Sequence, residues 1–180
     1  MKNNILKFNC FNKVSLICNY SGLESGYFGS IYEKWFIKYF KNLEKDLSEN
    51  GDFLFNKFSF ELKTSCITSK TTENDFWRFR FTEKQKDLKA DYYLFVGIDF
   101  HNPVNFEQVK CRFFLFTRNE LIKSLSRCSI KKKPLVYTVH LNNIPDSKSS
   151  WKRFSNCIKI YEKTFEDIEA YFNFSKDKIQ

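Results

Sequence analysis

From Asp52 to Lys63 the chain reads Asp-Phe-Leu-Phe-Asn-Lys-Phe-Ser-Phe-Glu-Leu-Lys, and this stretch decides the fold class. An apolar run over residues 52–55 is closed by Asn56-Lys57, a tight turn. Phe58, Phe60 and Leu62 then alternate with Ser59, Glu61 and Lys63. A period of two predicts a strand with one buried face and one polar face. The pair of runs is therefore expected to form two strands joined across a hairpin-length connection. Further on, Tyr92-Tyr-Leu-Phe-Val-Gly-Ile98 is apolar throughout, the mark of a strand covered on both faces. Between them, residues 76–81 predict a third strand with Trp77, Phe79 and Phe81 on one face and Arg78 and Arg80 on the other.

Helical periodicity flanks these strands. Ser30-x-x-Glu33 reads as a capping box, so a helix is expected to start at Ser30. Tyr32, Trp35, Phe36, Tyr39, Phe40, Leu43 and Leu47 fall on one side of it, and Lys34, Lys38, Lys41 and Lys45 on the other. Asn50-Gly51 would end it. Residues 5–20 suggest one or two strands, the Gly22/Gly26/Gly29 cluster a loop, and residues 64–74 another loop. A short helix is expected over 82–89, a strand over 111–116 and a helix over 119–127. Residues 159–172 are expected to form an amphipathic helix with Ile160, Tyr161, Phe165, Ile168 and Phe172 inward. No repeat or shift in composition divides the chain, so 1–180 reads as a single α/β domain.

Composition narrows the function classes. The chain has 180 residues, 34 of them aromatic, which suits one domain with a substantial core and excludes a disordered chain. No apolar stretch approaches a membrane span, and the broken N-terminal pattern lacks a signal peptide, so a cytoplasmic protein is expected. The net charge of +9 suits an anionic partner. Abundant Phe, Lys and Asn with only two alanines also fits AT-rich codon usage, which accounts for part of that charge. The six cysteines lack metal-ligand spacing and are expected to be free thiols; His101 and His140 stand far apart.

The chemistry concentrates on Asp52, Glu61 and Lys63. Glu61 and Lys63 are two apart, so both side chains leave the strand on one face. Asp52 opens the preceding strand and can reach Glu61. Two carboxylates with a strand carbonyl, that of Leu62, make a hard-oxygen site suited to Mg²⁺. An adjacent ammonium can act on water or on a phosphate.

Asp52 followed nine residues later by Glu61-Leu62-Lys63 resembles the PD-(D/E)xK nuclease superfamily. Supporting features are Thr64-Ser65, Phe76-Trp77-Arg78-Phe79, the segment 90–97 and the expected order helix, three strands, helix, strand from Ser30 to Ile98; the resemblance covers about residues 30–116. Gly51 stands where a proline often precedes the first acid. The resemblance implies a restriction-endonuclease-like core: a central mixed sheet flanked by helices. It also implies Mg²⁺, with Mn²⁺ substituting, held by Asp52, Glu61 and the Leu62 carbonyl, while Lys63 acts on the attacking water. Glu33 is a candidate helper acid, although its capping-box role explains it fully. A type II restriction-like enzyme acting on double-stranded DNA as a homodimer is the leading expectation. The alternatives are a homing endonuclease, a junction or repair nuclease, or a non-catalytic nucleic-acid-binding module.

Phosphate contacts are expected from Arg78, Arg80, Lys84, Gln85, the loop Lys131, Lys132 and Lys133, and Lys152 with Arg153 beside Trp151. Each charged run could equally be a solvated face. Residues outside the core are assigned to dimer or DNA contacts.

Overall fold

The computed structural model describes residues 25–48, 50–67, 76–99, 110–130, 134–140 and 149–173. The expected strands at 5–20, Cys10, Cys18, His101 and the Lys131/Lys132/Lys133 loop lie outside the described residues.

The stretch at 53–67 folds as its alternation predicts. Strand β2 (Phe53–Phe55) and strand β3 (Phe58–Ile67) are antiparallel, with Phe53 opposite Phe60. Asn56 and Lys57 between them have φ of 50° and 70°, the pair of positive values that a two-residue type I′ turn needs. β3 runs on past Lys63 through residues expected to be loop. Strand β5 (Tyr92–Asp99) lies beside it in parallel, with Glu61 opposite Tyr93, and strand β6 (Lys110–Thr117) covers the other edge of β5. Leu94, Phe95, Val96 and Ile98 are fully buried, as a doubly covered strand requires. Two-residue strands β1 (Glu44–Lys45) and β8 (Glu162–Lys163) complete a mixed six-stranded sheet in the order β1-β2-β3-β5-β6-β8.

The first helix corrects the sequence reading at both ends. Helix α1 spans Ser25–Tyr39, so Ser30 is inside it, the Ser30/Glu33 capping box does not exist, and Gly26 and Gly29 are helical. The chain turns after Tyr39; Leu43 still reaches the core, but Leu47 is 86 % exposed and Asn50-Gly51 ends no helix. Apolar spacing carried on into a turn and an edge strand, because Glu44 and Lys45 pair with Leu54 and Phe53. Tyr32 and Phe36 of α1, with Phe40 just after it, pack against Phe53, Phe60 and Phe172, the last from helix α4 (Phe165–Asn173). The long helix expected over 159–172 is broken: Ile158–Tyr161 is a 3-10 turn, β8 follows, and Ile160 is 72 % exposed.

The opposite face is covered differently. Strand β4 (Phe76–Arg80) has the expected inward row Trp77 and Phe79, continued by Phe81, but it does not join the central sheet. Both edges of β5 are already taken by β3 and β6, so β4 pairs with strand β7 (Val136–His140) in a separate antiparallel ribbon. A parallel β3/β5 pair needs a crossover connection, commonly a helix. Here β4 lies in that connection, with Phe79 stacked on Phe95 at 4.5 Å. Helix α2 (Arg118–Arg127) starts on a Thr117/Glu120 capping box, and helix α3 (Ser150–Cys157) completes this layer. The helix expected over 82–89 is a single 3-10 turn at Gln85–Asp87. The protein is thus α/β, with a mixed central sheet and four α-helices among the described residues. No described helix is long and apolar enough to cross a membrane.

Candidate active site at the end of the central hairpin

Gly51 sets the geometry. A Cβ placed there would lie 2.6 Å from the Phe60 carbonyl oxygen, so only glycine lets the two backbones approach this closely. Asp52 N–H then donates to Phe60 O at 2.7 Å, and Asp52 Oδ2 accepts from Leu62 N–H at 2.7 Å. The side chain thus takes the place of the next ladder partner just before β2 begins. In an extended strand one residue's N–H and C=O point to the same edge. Leu62 N–H bonds Asp52, so the Leu62 carbonyl is directed to the same edge. Gly51→Ala is expected to destabilise the protein by about 1–3 kcal/mol through this clash. A lower denaturant midpoint is the measurement; an unchanged midpoint would show that the backbones can separate without cost.

Glu61 and Lys63 project from the face opposite Phe60 and Leu62. Glu61 is only 4 % exposed. Its Oε1 receives an ion pair from Lys63 Nζ and a 2.7 Å hydrogen bond from Gln85 Nε2. Lys63 Nζ lies 5.0 Å from the centre of the Phe81 ring, so the chain entering from β4 forms part of the wall. Gln85 is itself braced: its Oε1 accepts from Thr82 N–H at 3.0 Å. The sequence reading placed Gln85 on the phosphate side, but here it holds a carboxylate.

The electrostatics are those of an acidic site short of cations. Burial raises the proton affinity of Asp52, with Lys63 pulling the other way. Glu61 is pushed up to about 7, first by burial and then by Asp52 and Glu33, against the opposing effect of Lys63. Glu33 on α1 is also raised, by burial and then by the charge of Asp52. With the capping box absent, Glu33 belongs electrostatically to this cluster.

Two neighbours were not singled out from sequence. Asp46 is 6 % exposed, donates its N–H to Asp52 O at 3.3 Å, and binds Ser48 N–H and hydroxyl through Oδ1. Its Oδ2 is buried with no hydrogen-bond partner among the described residues. Asp91 Oδ2 accepts from Ser59 N–H and hydroxyl, tying the start of β3 to the start of β5. An acid just before a continuous apolar run was the available signal for Asp91; nothing local marks Asp46.

The expected DNA-contact residues are more dispersed. Arg78 and Arg80 are exposed and, by alternation with the buried Trp77 and Phe79, leave the ribbon on the side away from the central sheet. Lys84 is exposed just ahead of the Gln85 turn. Lys152 and Arg153 lie on α3, where Arg153 Nη2 donates to the Cys128 carbonyl at 3.3 Å. Among the described residues no group of three or more His, Cys, Asp or Glu side chains forms a metal cage. Comparison with protein-family models, curated proteins and solved structures returned no match.

Proposed function

We propose that this chain is a Mg²⁺-dependent DNA endonuclease of the PD-(D/E)xK kind, most simply a site-specific, type II restriction-like enzyme working on duplex DNA as a homodimer. The observation that carries the reading is the hydrogen bond from Leu62 N–H to Asp52 Oδ2. It aligns a carboxylate with a strand carbonyl at one edge, beside the Glu61–Lys63 pair.

The donor set suits the ion. Mg²⁺ keeps several waters and needs only one or two carboxylates, so a cage of three acidic side chains is unnecessary. Asp52, Glu61 and the Leu62 carbonyl would hold it, Mn²⁺ would substitute, and Glu33 would help through water. The ion supplies positive charge that stabilises the transition state and lowers the pKa of its water. The protein's own groups do the rest. Gln85 fixes the orientation of Glu61. Lys63, largely buried over Phe81, would orient the attacking water or donate to the phosphate. The hairpin β2–β3, the parallel β5 and the antiparallel β6 with α1 behind them support a restriction-endonuclease-like core.

Arg78, Arg80, Lys84, Lys131, Lys132, Lys133, Lys152 and Arg153 would supply phosphate contacts. Two copies would be needed to cut both strands at a symmetric site. Supercoiled plasmid incubated with the protein and Mg²⁺ tests the reading. Chelator-sensitive discrete fragments are expected. A smear would indicate an unspecific nuclease, and DNA binding without any cutting would indicate a binding module.

A further inference from the structure

Cys128 and Cys157 were read from the sequence as unconnected free thiols, and the fold brings them together. Cys128 caps the C-terminal end of α2, Cys157 closes α3, and their sulfurs lie 3.5 Å apart although the residues are 29 apart in sequence. Both are thiols in this structure. Cys128 is buried and Cys157 is half-exposed.

We propose that Cys128 and Cys157 form an oxidisable dithiol, a modification site for small-molecule disulfides that closes into an intramolecular crosslink between α2 and α3. The two sulfurs have distinct roles. Burial, with the adjacent Cys157 sulfur, pushes the Cys128 thiol up to about 12, so Cys128 keeps its proton and donates it to Cys157 Sγ. Cys157 Sγ is the more accessible sulfur, so it is the one that meets a small-molecule disulfide first. With oxidised glutathione as oxidant, Cys157 loses its proton to solvent, attacks one sulfur and expels one glutathione thiolate, which takes up a proton. Cys128 then gives up its proton and attacks Cys157 Sγ, expelling the second glutathione. Two protein thiols are oxidised and one glutathione disulfide becomes two thiols.

The crosslink would act on a defined part of the fold. It joins the ends of the two helices that, with the β4–β7 ribbon, cover the Glu61/Lys63 face. Trp151 and Phe154 of α3 pack against Tyr137 of β7, and Tyr137 packs against Phe81, the ring beneath Lys63. Closing the loop limits the unfolded chain and stabilises the whole layer.

The test uses the full chain treated with oxidised glutathione, blocked with an alkylating reagent and mapped by mass spectrometry. Loss of ~2 Da and a Cys128–Cys157 linked peptide are expected. A Tm rise of about 5–10 °C, reversed by dithiothreitol, should accompany them. Cys157→Ser should lose the link and the Tm rise, and Cys111→Ser should keep both. Alkylation of both thiols after oxidation, a link to a different cysteine, or a link without a Tm rise would overturn the proposal. These readouts do not involve DNA cleavage, so they stand or fall separately from the proposed nuclease activity.

Discussion

Lys63→Met should lower single-turnover cleavage of duplex DNA by about 10²–10⁴-fold, the usual range for removing a positioned proton donor or acceptor. Met keeps most of the stem that lies against Phe81, so packing of the β4 entry is preserved. Duplex affinity, measured by fluorescence anisotropy, should stay within a few-fold of wild type because one phosphate contact at most is lost. Lys63→Arg should rescue poorly: a planar guanidinium cannot replace a compact ammonium between Glu61 and the Phe81 ring. A Lys63→Met protein that cuts within tenfold of wild type would remove Lys63 from the chemistry.

Glu61→Gln should do two opposite things. It should abolish cleavage, and it should stabilise the chelator-treated protein at alkaline pH. The sign follows from the direction of the shift. Glu61 is pushed up to about 7 in the folded protein, from an ordinary value of 4.5. The folded state therefore holds the proton more tightly than the unfolded state. Its contribution is favourable to folding at low pH, and stability falls as pH rises through the window from about 4.5 to about 7. Above that window the buried carboxylate costs on the order of 3 kcal/mol. Gln can still accept from Lys63 and Gln85 but carries no charge. At pH 8 the variant should melt about 5–10 °C above wild type. At pH 5 the two should nearly coincide. A variant less stable than wild type at both pH values would mean that the Lys63–Glu61 attraction outweighs burial. Destabilising native acids are expected where binding a cation, rather than folding, determines the residue.

The physical origin of what the sequence reveals is uneven. Continuous apolarity at residues 92–98 specified the central strand, because a strand covered on both faces cannot carry polar side chains. Alternation at 58–63 specified which side chains share a face, and the Asn56-Lys57 pair located the turn. Alternation says nothing about partners, so β4 was read correctly as a strand and incorrectly as a member of the central sheet. The ends of α1 were illegible for another reason: Leu43 and Leu47 continue a helical spacing after Tyr39, while the pairing of Glu44 and Lys45 with β2 is a long-range matter. Likewise Ile160 looked like part of an apolar stripe, but the 3-10 turn and β8 break the periodicity before Phe165.

The site divides along the same line. Asp52, Glu61 and Lys63 could be proposed from spacing because two of them share one strand face. Gly51 was noted only as a missing proline, whereas the fold gives it a reason: the close approach of residue 51 to Phe60 that aims Asp52 at Leu62. Gln85 was marked for DNA and instead bonds Glu61. Cys128 and Cys157 illustrate the limit most directly, since residues 29 apart meet only once α2 and α3 are packed.

The most direct test of the proposed site is a titration of Mn²⁺ into the chelator-stripped chain, with free ion followed by electron paramagnetic resonance. Wild type is expected to bind at least one ion per chain, displaced by Mg²⁺. Asp52→Asn should lose that ion and Lys63→Met should retain it. Equal Mn²⁺ binding by wild type and Asp52→Asn would contradict a metal site at the end of the β2–β3 hairpin.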